Sequence, residues 1–126
     1  MYYDLLAKIK NAVNAKKENF STPFSNFDFE VAKILAANGY LKDVQKKTVG
    51  NRNFIEIKIN YKNNSSSFND FKIISRPSRH IYVRSGEVRK VKQGYGLGMF
   101  STTQGILADR DARKKKVGGE YLFEIW

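Results

Sequence analysis

The sequence predicts an α+β fold built from two small domains, one over 1–64 and one over 65–126. Three observations lead to this prediction. The chain has 126 residues, which suffice for one ordinary domain or for two very small ones. Residues 63–67 read Asn-Asn-Ser-Ser-Ser and mark a boundary by their low complexity. Helical and strand periodicities alternate before this segment, whereas short strands dominate after it.

Two elements are predicted before residue 25. Apolar side chains recur at helical spacing over 4–16, which predicts an amphipathic helix. We expect the lysines of this helix to be solvated rather than bound to phosphate. Phe20 and Thr22 predict a brief strand that ends at Pro23.

A second helix is predicted over 27–38, because Ser25 and Asp28 have capping-box spacing at its start. Residues 40–47 are predicted to be extended. Apolar and polar residues alternate over 54–61, which predicts a strand with one buried face and one face in water. The N-terminal domain therefore has the predicted order α-β-α-β-β.

The C-terminal domain is predicted to be mostly β with a short helix. Its strands are short and are separated by turns that contain glycine or proline. The predicted strands span 71–74, 81–83, 97–103, 106–107 and 121–126. Residues 87–93 are the predicted short basic helix, and 109–116 are predicted to form a charged loop or a helical turn.

Positive charge is concentrated in the second half of the chain. The sequence has 23 Lys plus Arg against 12 Asp plus Glu, a net charge of +11. Residues 72–116 alone carry 12 basic and 3 acidic side chains, or +9. Such clustering predicts a polyanionic partner, more often nucleic acid than anionic lipid.

Composition excludes several classes of protein. The absence of cysteine excludes a disulfide framework, a thiolate metal site and a cysteine nucleophile. The apolar runs are too short for a transmembrane helix, and residues 1–6 lack the basic flank of a secretory signal. We therefore expect a cytoplasmic protein with no membrane partner.

No catalytic set emerges from the reactive side chains. His80 is the one histidine, and we expect a structural role because a general base needs an orienting partner. Asp109 and Asp111 have the chemistry for Mg²⁺, but the neighbouring Arg110 and Arg113 favour local ion pairing or helix capping. We predict a protein that is not an enzyme, with no cofactor, metal or small-molecule substrate. A small metal-dependent nuclease that uses the two aspartates is the enzymatic alternative.

Side chains suited to nucleic-acid recognition lie in the basic half. Arginine and lysine neutralise phosphates, hydroxyls bond to sugars and base edges, and a tyrosine stacks on a base. These residues are Arg76, Arg79, Tyr82, Arg84, Arg89, Lys90, Lys92, Ser101, Thr102 and Thr103. RNA is favoured over duplex DNA, because no basic helix suited to the major groove stands out. A general nucleic-acid-binding protein remains an alternative.

Four ordered segments carry a family resemblance. They are Arg-Pro-Ser-Arg-His-Ile-Tyr at 76–82, Gly-Tyr-Gly-Leu-Gly at 94–98, the run from Ser101 to Arg113, and Val-Gly-Gly-Glu at 117–120. Together they resemble the bacterial-type family of the eighth protein of the small ribosomal subunit. The likeness is strong over 76–126, moderate over 4–40 and weak over 42–72.

The resemblance implies a function and a site. It implies two α+β domains and direct binding to a helix in the central domain of small-subunit rRNA, early in subunit assembly. It also implies a place in the ribosome beside other small-subunit proteins. The family's main RNA-reading site is a Ser-Thr-Ser turn with a nearby tyrosine, which maps onto Ser101, Thr102, Thr103 and Tyr82. The glutamate of the Gly-Gly-Glu motif maps onto Glu120, close to that site.

This sequence departs from the family pattern at three positions. Thr103 replaces the third serine and keeps its hydroxyl. Gln104 replaces a common lysine and so removes a partner for phosphate, while Ser78 replaces a glycine after Pro77. We expect Glu120 to orient arginine and hydroxyl side chains rather than to accept bonds from base amino groups.

Overall fold

The computed structural model describes residues 2–62, 65–76, 78–87 and 96–126. The helices are α1 (Tyr2–Asn14), α2 (Asn26–Ala37) and α3 (Asp109–Lys115), and Ser85–Glu87 form a 3₁₀ turn. The strands are β1 (Asn19–Pro23), β2 (Leu41–Val49), β3 (Arg52–Ile59), β4 (Tyr61–Lys62), β5 (Ser65–Ser66), β6 (Phe71–Ile73), β7 (Tyr82–Val83), β8 (Leu97–Thr102), β9 (Gly105–Ala108) and β10 (Gly119–Ile125). Helices combined with antiparallel sheets confirm the predicted α+β class.

The chain forms two compact units, Met1–Asn69 and Asp70–Trp126. Residues 65–69 thus belong to the first unit, whereas the predicted boundary lies between residues 64 and 65. That each unit is a separate domain stays a prediction.

The first unit is built on a three-stranded antiparallel sheet in the order β1-β3-β2. Helices α1 and α2 pack against this sheet. From Ile55 to the end of β3 every second residue is buried, which confirms the predicted alternation there. The buried residues of β3 are Ile55, Ile57 and Ile59, and those of the helices include Leu5, Leu6, Ile9, Val31, Ala32 and Leu35.

Two details of the first unit correct the expectations from the sequence. Ser25 does stand at the N-cap of α2, but its hydroxyl makes no capping bond; instead, its backbone carbonyl accepts a bond from the Phe29 N–H at 2.9 Å. The predicted strand 54–61 ends at Ile59. Asn60 follows it, with its side chain donating to the Gly39 carbonyl at 2.8 Å, and β4 pairs with β5 in a separate two-stranded sheet.

The second unit is organised around β10. This strand pairs with β8 on one side and with β6 and β7 on the other, and β8 continues the sheet to β9. On one face of the sheet Phe100 stacks on Tyr121, with 4.4 Å between ring centroids. Val83, Leu107, Val117 and the buried Ala112 of α3 pack around Phe100. We call this the α3 face and the opposite side the outer face; the outer face is buried at Met99 and exposed at the end that carries Tyr82.

One prediction for the second unit lies largely outside the described residues, and the structure decides another in favour of a helix. The predicted helix 87–93 lies outside the described residues except for Glu87, which ends the 3₁₀ turn. Residues 109–115, within the segment predicted to be a charged loop or a helical turn, form the helix α3. Acidic residues in its first turn and basic residues in its last turn complement the helix dipole.

Candidate RNA-binding surface

Three of the predicted site residues lie in one row across the second sheet. Glu120 of β10 is directly opposite Tyr82 of β7 on one side and Ser101 of β8 on the other. Residues directly opposite one another in an antiparallel sheet project to the same face. Because Phe100 and Tyr121, the next residues in register, occupy the α3 face, Tyr82, Glu120 and Ser101 lie on the outer face. We call these three residues the outer row.

The outer row is open to solvent at one end. Tyr82 is 73% exposed, a large value for an aromatic residue on a sheet. Ser101 and Glu120 are partly exposed. Tyr82 and Arg84 also line one shallow hollow with Gly118 and Gly119. Tyr82 and Arg84 therefore border the same solvent space, together with Glu87.

The two threonine hydroxyl groups of the β8–β9 turn have different roles. Thr102 donates its hydroxyl to the Gly105 carbonyl at 2.8 Å and accepts the Gln104 N–H at 3.1 Å. Gly105 has φ +102°, a conformation that a residue with a side chain adopts only with strain. Thr103 and Gln104 are exposed at the tip of the turn. The Thr102 hydroxyl is thus committed to the turn, and Thr103 faces solvent.

The arginines near the outer row are exposed. Arg76 and Arg79 exchange two backbone hydrogen bonds of 2.9 Å, which close a turn between them. Arg84 follows β7. Among the described residues, no carboxylate lies within 4 Å of these three guanidinium groups. Arg89, Lys90 and Lys92 lie outside the described residues.

Ser75 fixes the segment that carries Arg76 and Arg79. It is 1% exposed. Its hydroxyl donates to the Tyr121 carbonyl at 2.6 Å and accepts the Ile81 N–H at 2.9 Å. This buried serine therefore connects the turn to β10. The polar residues that follow it in the sequence did not indicate this role.

His80 contacts Glu120, which sequence reasoning did not foresee. Its Nδ1 atom lies 3.0 Å from Oε1 and 3.1 Å from Oε2 of Glu120. Glu120 was expected to orient arginine and hydroxyl groups; in the described part of the chain its side-chain partner is this imidazole instead. The two residues are 40 positions apart, so no local pattern could have indicated the contact.

Of the two aspartates considered for a nuclease, Asp109 is a buried structural group and Asp111 is exposed. Asp109 is 2% exposed and accepts bonds from Arg113 at 2.8 Å and from the Gly98 N–H at 3.2 Å. This confirms the predicted ion pairing at Asp109. Over the ranges that the structure describes, no three His, Asp or Glu side chains are grouped to hold a metal ion. Within the same ranges, no helix is long and apolar enough to cross a membrane.

Comparisons with known proteins agree with the family resemblance. The sequence matches the family described as ribosomal protein S8 over residues 2–126. Among its relatives is the small ribosomal subunit protein uS8 of Mycoplasmopsis pulmonis (strain UAB CTIP), 37% identical over 123 residues that cover 98% of this chain and 93% of the relative. The protein of the same name from Lysinibacillus sphaericus (strain C3-41) is 38% identical over 124 residues, with 98% and 94% covered.

A third relative is similar over nearly the whole of both chains. The uS8 protein of Thermus aquaticus is 35% identical over 131 aligned positions, which cover 98% of this chain and 95% of the relative. Identity at this level over nearly the whole of both chains confirms the family inferred from the motifs. The chain belongs to the ribosomal protein S8 family.

Proposed function

We propose that this protein is a structural component of the small ribosomal subunit in the cytoplasm. In this proposal it binds directly to the central domain of small-subunit rRNA, supports subunit assembly, and contacts neighbouring ribosomal proteins. It performs no catalysis. The family supports the ribosomal assignment, since the relatives carry the name small ribosomal subunit protein.

The observation that carries the rRNA-binding proposal is the outer row. A largely exposed tyrosine, a carboxylate and a hydroxyl lie side by side on the outer face of the second sheet. Single-stranded and irregular RNA is read by stacking on aromatic rings and by hydrogen bonds to unstacked bases and 2′-hydroxyls. The outer row offers both kinds of contact within one short span.

Affinity in this proposal comes largely from the exposed cations. Arg76, Arg79 and Arg84 have no carboxylate partner in the described part of the chain. Each is therefore available to a phosphate, and the release of counterions from RNA makes such binding dependent on salt. These contacts hold the RNA without reading its sequence.

Selectivity in this proposal comes from the outer row and the β8–β9 turn. Tyr82 stacks on an unpaired base, while Ser101 and Thr103 form short hydrogen bonds to the RNA. Thr102 shapes the turn through its two hydrogen bonds. Gln104 occupies the exposed tip without the charge that a lysine would supply.

Co-sedimentation of the full chain with small ribosomal subunits, followed by footprinting of the bound rRNA, tests this proposal. The expected result is stoichiometric binding with protection confined to one helix of the central domain. Protection elsewhere in the rRNA, or none at all, would contradict it.

Two competing functions predict other outcomes. A general nucleic-acid-binding protein would bind duplex DNA as tightly as the central-domain RNA at equal salt. A metal-dependent nuclease would cleave labelled RNA when Mg²⁺ is added. The burial of Asp109 and its bonds to Arg113 and Gly98 argue against the second outcome.

A further inference from the structure

His80 and Glu120 form a contact with a defined geometry. One ring nitrogen, Nδ1, is almost equidistant from both carboxylate oxygens, at 3.0 and 3.1 Å. An ionised carboxylate only accepts hydrogen bonds, so Nδ1 is the N–H nitrogen of the ring and donates a hydrogen bond to the carboxylate. The His80 side chain is 51% exposed, whereas that of Glu120 is 18% exposed. The imidazole therefore covers the carboxylate from the solvent side.

The position of Glu120 makes this contact important for the surface around it. Glu120 is the middle residue of the outer row, between Tyr82 and Ser101. A carboxylate free to rotate there would not keep one position between the two side chains that the proposal assigns to reading the RNA. A donor that holds both oxygens removes that freedom.

The backbone that carries His80 is fixed on both sides. Before it, Arg76 and Arg79 are joined by two backbone bonds of 2.9 Å. After it, the Ile81 N–H donates to the buried Ser75 hydroxyl at 2.9 Å, and the Ile81 carbonyl accepts the Tyr121 N–H at 2.8 Å. The backbone at His80 is thus held in place before any RNA arrives, as a supporting residue of a recognition site requires.

We propose that His80 is a positioning residue that sets the selectivity of the outer row by holding the Glu120 carboxylate between Tyr82 and Ser101. This inference rests on the proposed binding of rRNA. Loss of His80 leaves the arginines and the outer row in place but frees the carboxylate. It therefore weakens binding to the cognate RNA much more than binding to an unrelated RNA.

A double-mutant cycle tests this role. Affinities for a central-domain rRNA fragment and for an unrelated RNA are measured for the full chain, His80→Ala, Glu120→Ala and the double variant. His80→Ala is expected to weaken cognate binding about five- to tenfold, in line with the loss of a partly exposed hydrogen bond to a charged group. Binding to the unrelated RNA is expected to change less than twofold.

Two features of the result distinguish positioning from a general structural effect. If His80 acts through Glu120, the double variant binds no more weakly than Glu120→Ala alone. His80→Asn, whose amide nitrogen supplies a donor near the place of Nδ1, is expected to recover most of the affinity. Thermal unfolding of each variant checks that the fold is retained.

Each outcome has a distinct meaning. Additive losses, no recovery in His80→Asn, or equal weakening of both RNAs would overturn the positioning role while leaving the proposed function intact. If the unmodified chain does not prefer the central-domain fragment, the proposed function fails and this inference fails with it.

Discussion

A side chain at Gly119 would collide with the backbone of Ser101. A Cβ atom built on Gly119 lies 2.2 Å from the Ser101 carbonyl oxygen and 3.0 Å from Cγ2 of Thr102. Glycine is therefore required here for the close approach of β10 to β8 at the point where both strands present the outer row. Close packing of the two strands thus explains why the residue before Glu120 in the Gly-Gly-Glu motif is glycine.

Replacement of Gly119 by alanine tests this close approach. Since the obstructing atom belongs to the backbone, β8 or β10 must shift, and we expect a loss of about 1–3 kcal/mol in the free energy of unfolding. Gly86→Ala is the matched control, because a Cβ there meets nothing within 4 Å. Equal unfolding free energies for Gly119→Ala and Gly86→Ala, measured in urea, would contradict the close approach.

Hydroxyl groups in and beside the β8–β9 turn should affect two different properties, the affinity for RNA and the stability of the fold. Ser101→Ala combined with Thr103→Val is expected to cost about 1–3 kcal/mol in binding the cognate RNA and to leave non-specific binding unchanged. Thr102→Val should instead destabilise the fold by about 1 kcal/mol, because it removes two hydrogen bonds within the turn. Filter binding and thermal unfolding measure the two effects. Equal weakening toward both RNAs would show that Ser101 and Thr103 do not read the site.

Arg84 should contribute through charge alone. It is exposed, and in the described part of the chain it has no carboxylate within 4 Å. Arg84→Ala is expected to weaken binding to any RNA and to reduce the slope of log affinity against log salt by about one. Arg84→Lys, which keeps the charge, is the control and should retain the slope. A slope unchanged in Arg84→Ala would remove this residue from the phosphate contacts.

Asp28 should make the stability of the chain depend on pH. It is 7% exposed in α2, and among the described residues its Oδ1 atom has no hydrogen-bond partner. Burial raises the pKa of this carboxyl above its ordinary value; the positive N-terminus and Lys8 oppose this shift, while the Asp4 carboxylate adds to it. Between the unfolded and the folded pKa, the folded state thus holds a proton that the unfolded state has lost. Stability from this group is full below the unfolded pKa and is lost as pH rises through the folded one.

Asp28→Asn removes that titration. Relative to the unmodified chain, the variant should gain unfolding free energy as pH is raised from about 4 to 7. Glu30→Gln changes an exposed carboxylate on the same helix and serves as the control. Urea unfolding at several pH values gives the comparison. A difference between Asp28→Asn and the unmodified chain that is constant with pH would rule out a raised pKa.

The fold was predictable wherever a local pattern reflects the buried face. Alternation over β3 and helical spacing over α1 identified Ile55, Ile57 and Leu5 as core residues, because periodicity alone decides which side chains face inward. The predicted capping box was wrong at Ser25, because the spacing of two residues does not determine which rotamers their side chains adopt. Asp28 is buried instead of capping the backbone of Ser25.

The site was predictable as a set of residues but not as an arrangement. Motif resemblance selected Tyr82, Ser101 and Glu120, and strand pairing then aligned them in one row. The contacts made by His80 and Ser75 join positions that are 40 and 46 residues apart. Such contacts depend on the register between strands, which no single stretch of sequence encodes.

The measurement that tests the central claim most directly is tethered hydroxyl-radical probing of bound rRNA. The chain contains no cysteine, so a single introduced cysteine gives a unique attachment point. Gln104→Cys places the probe at the exposed tip beside the outer row, and Arg110→Cys places it on α3, which packs on the opposite face. We predict strong, localised cleavage in the central domain from position 104 and weak cleavage from position 110. Stronger cleavage from position 110, or none from position 104 while the protein is bound, would contradict the claim that the outer face binds the RNA.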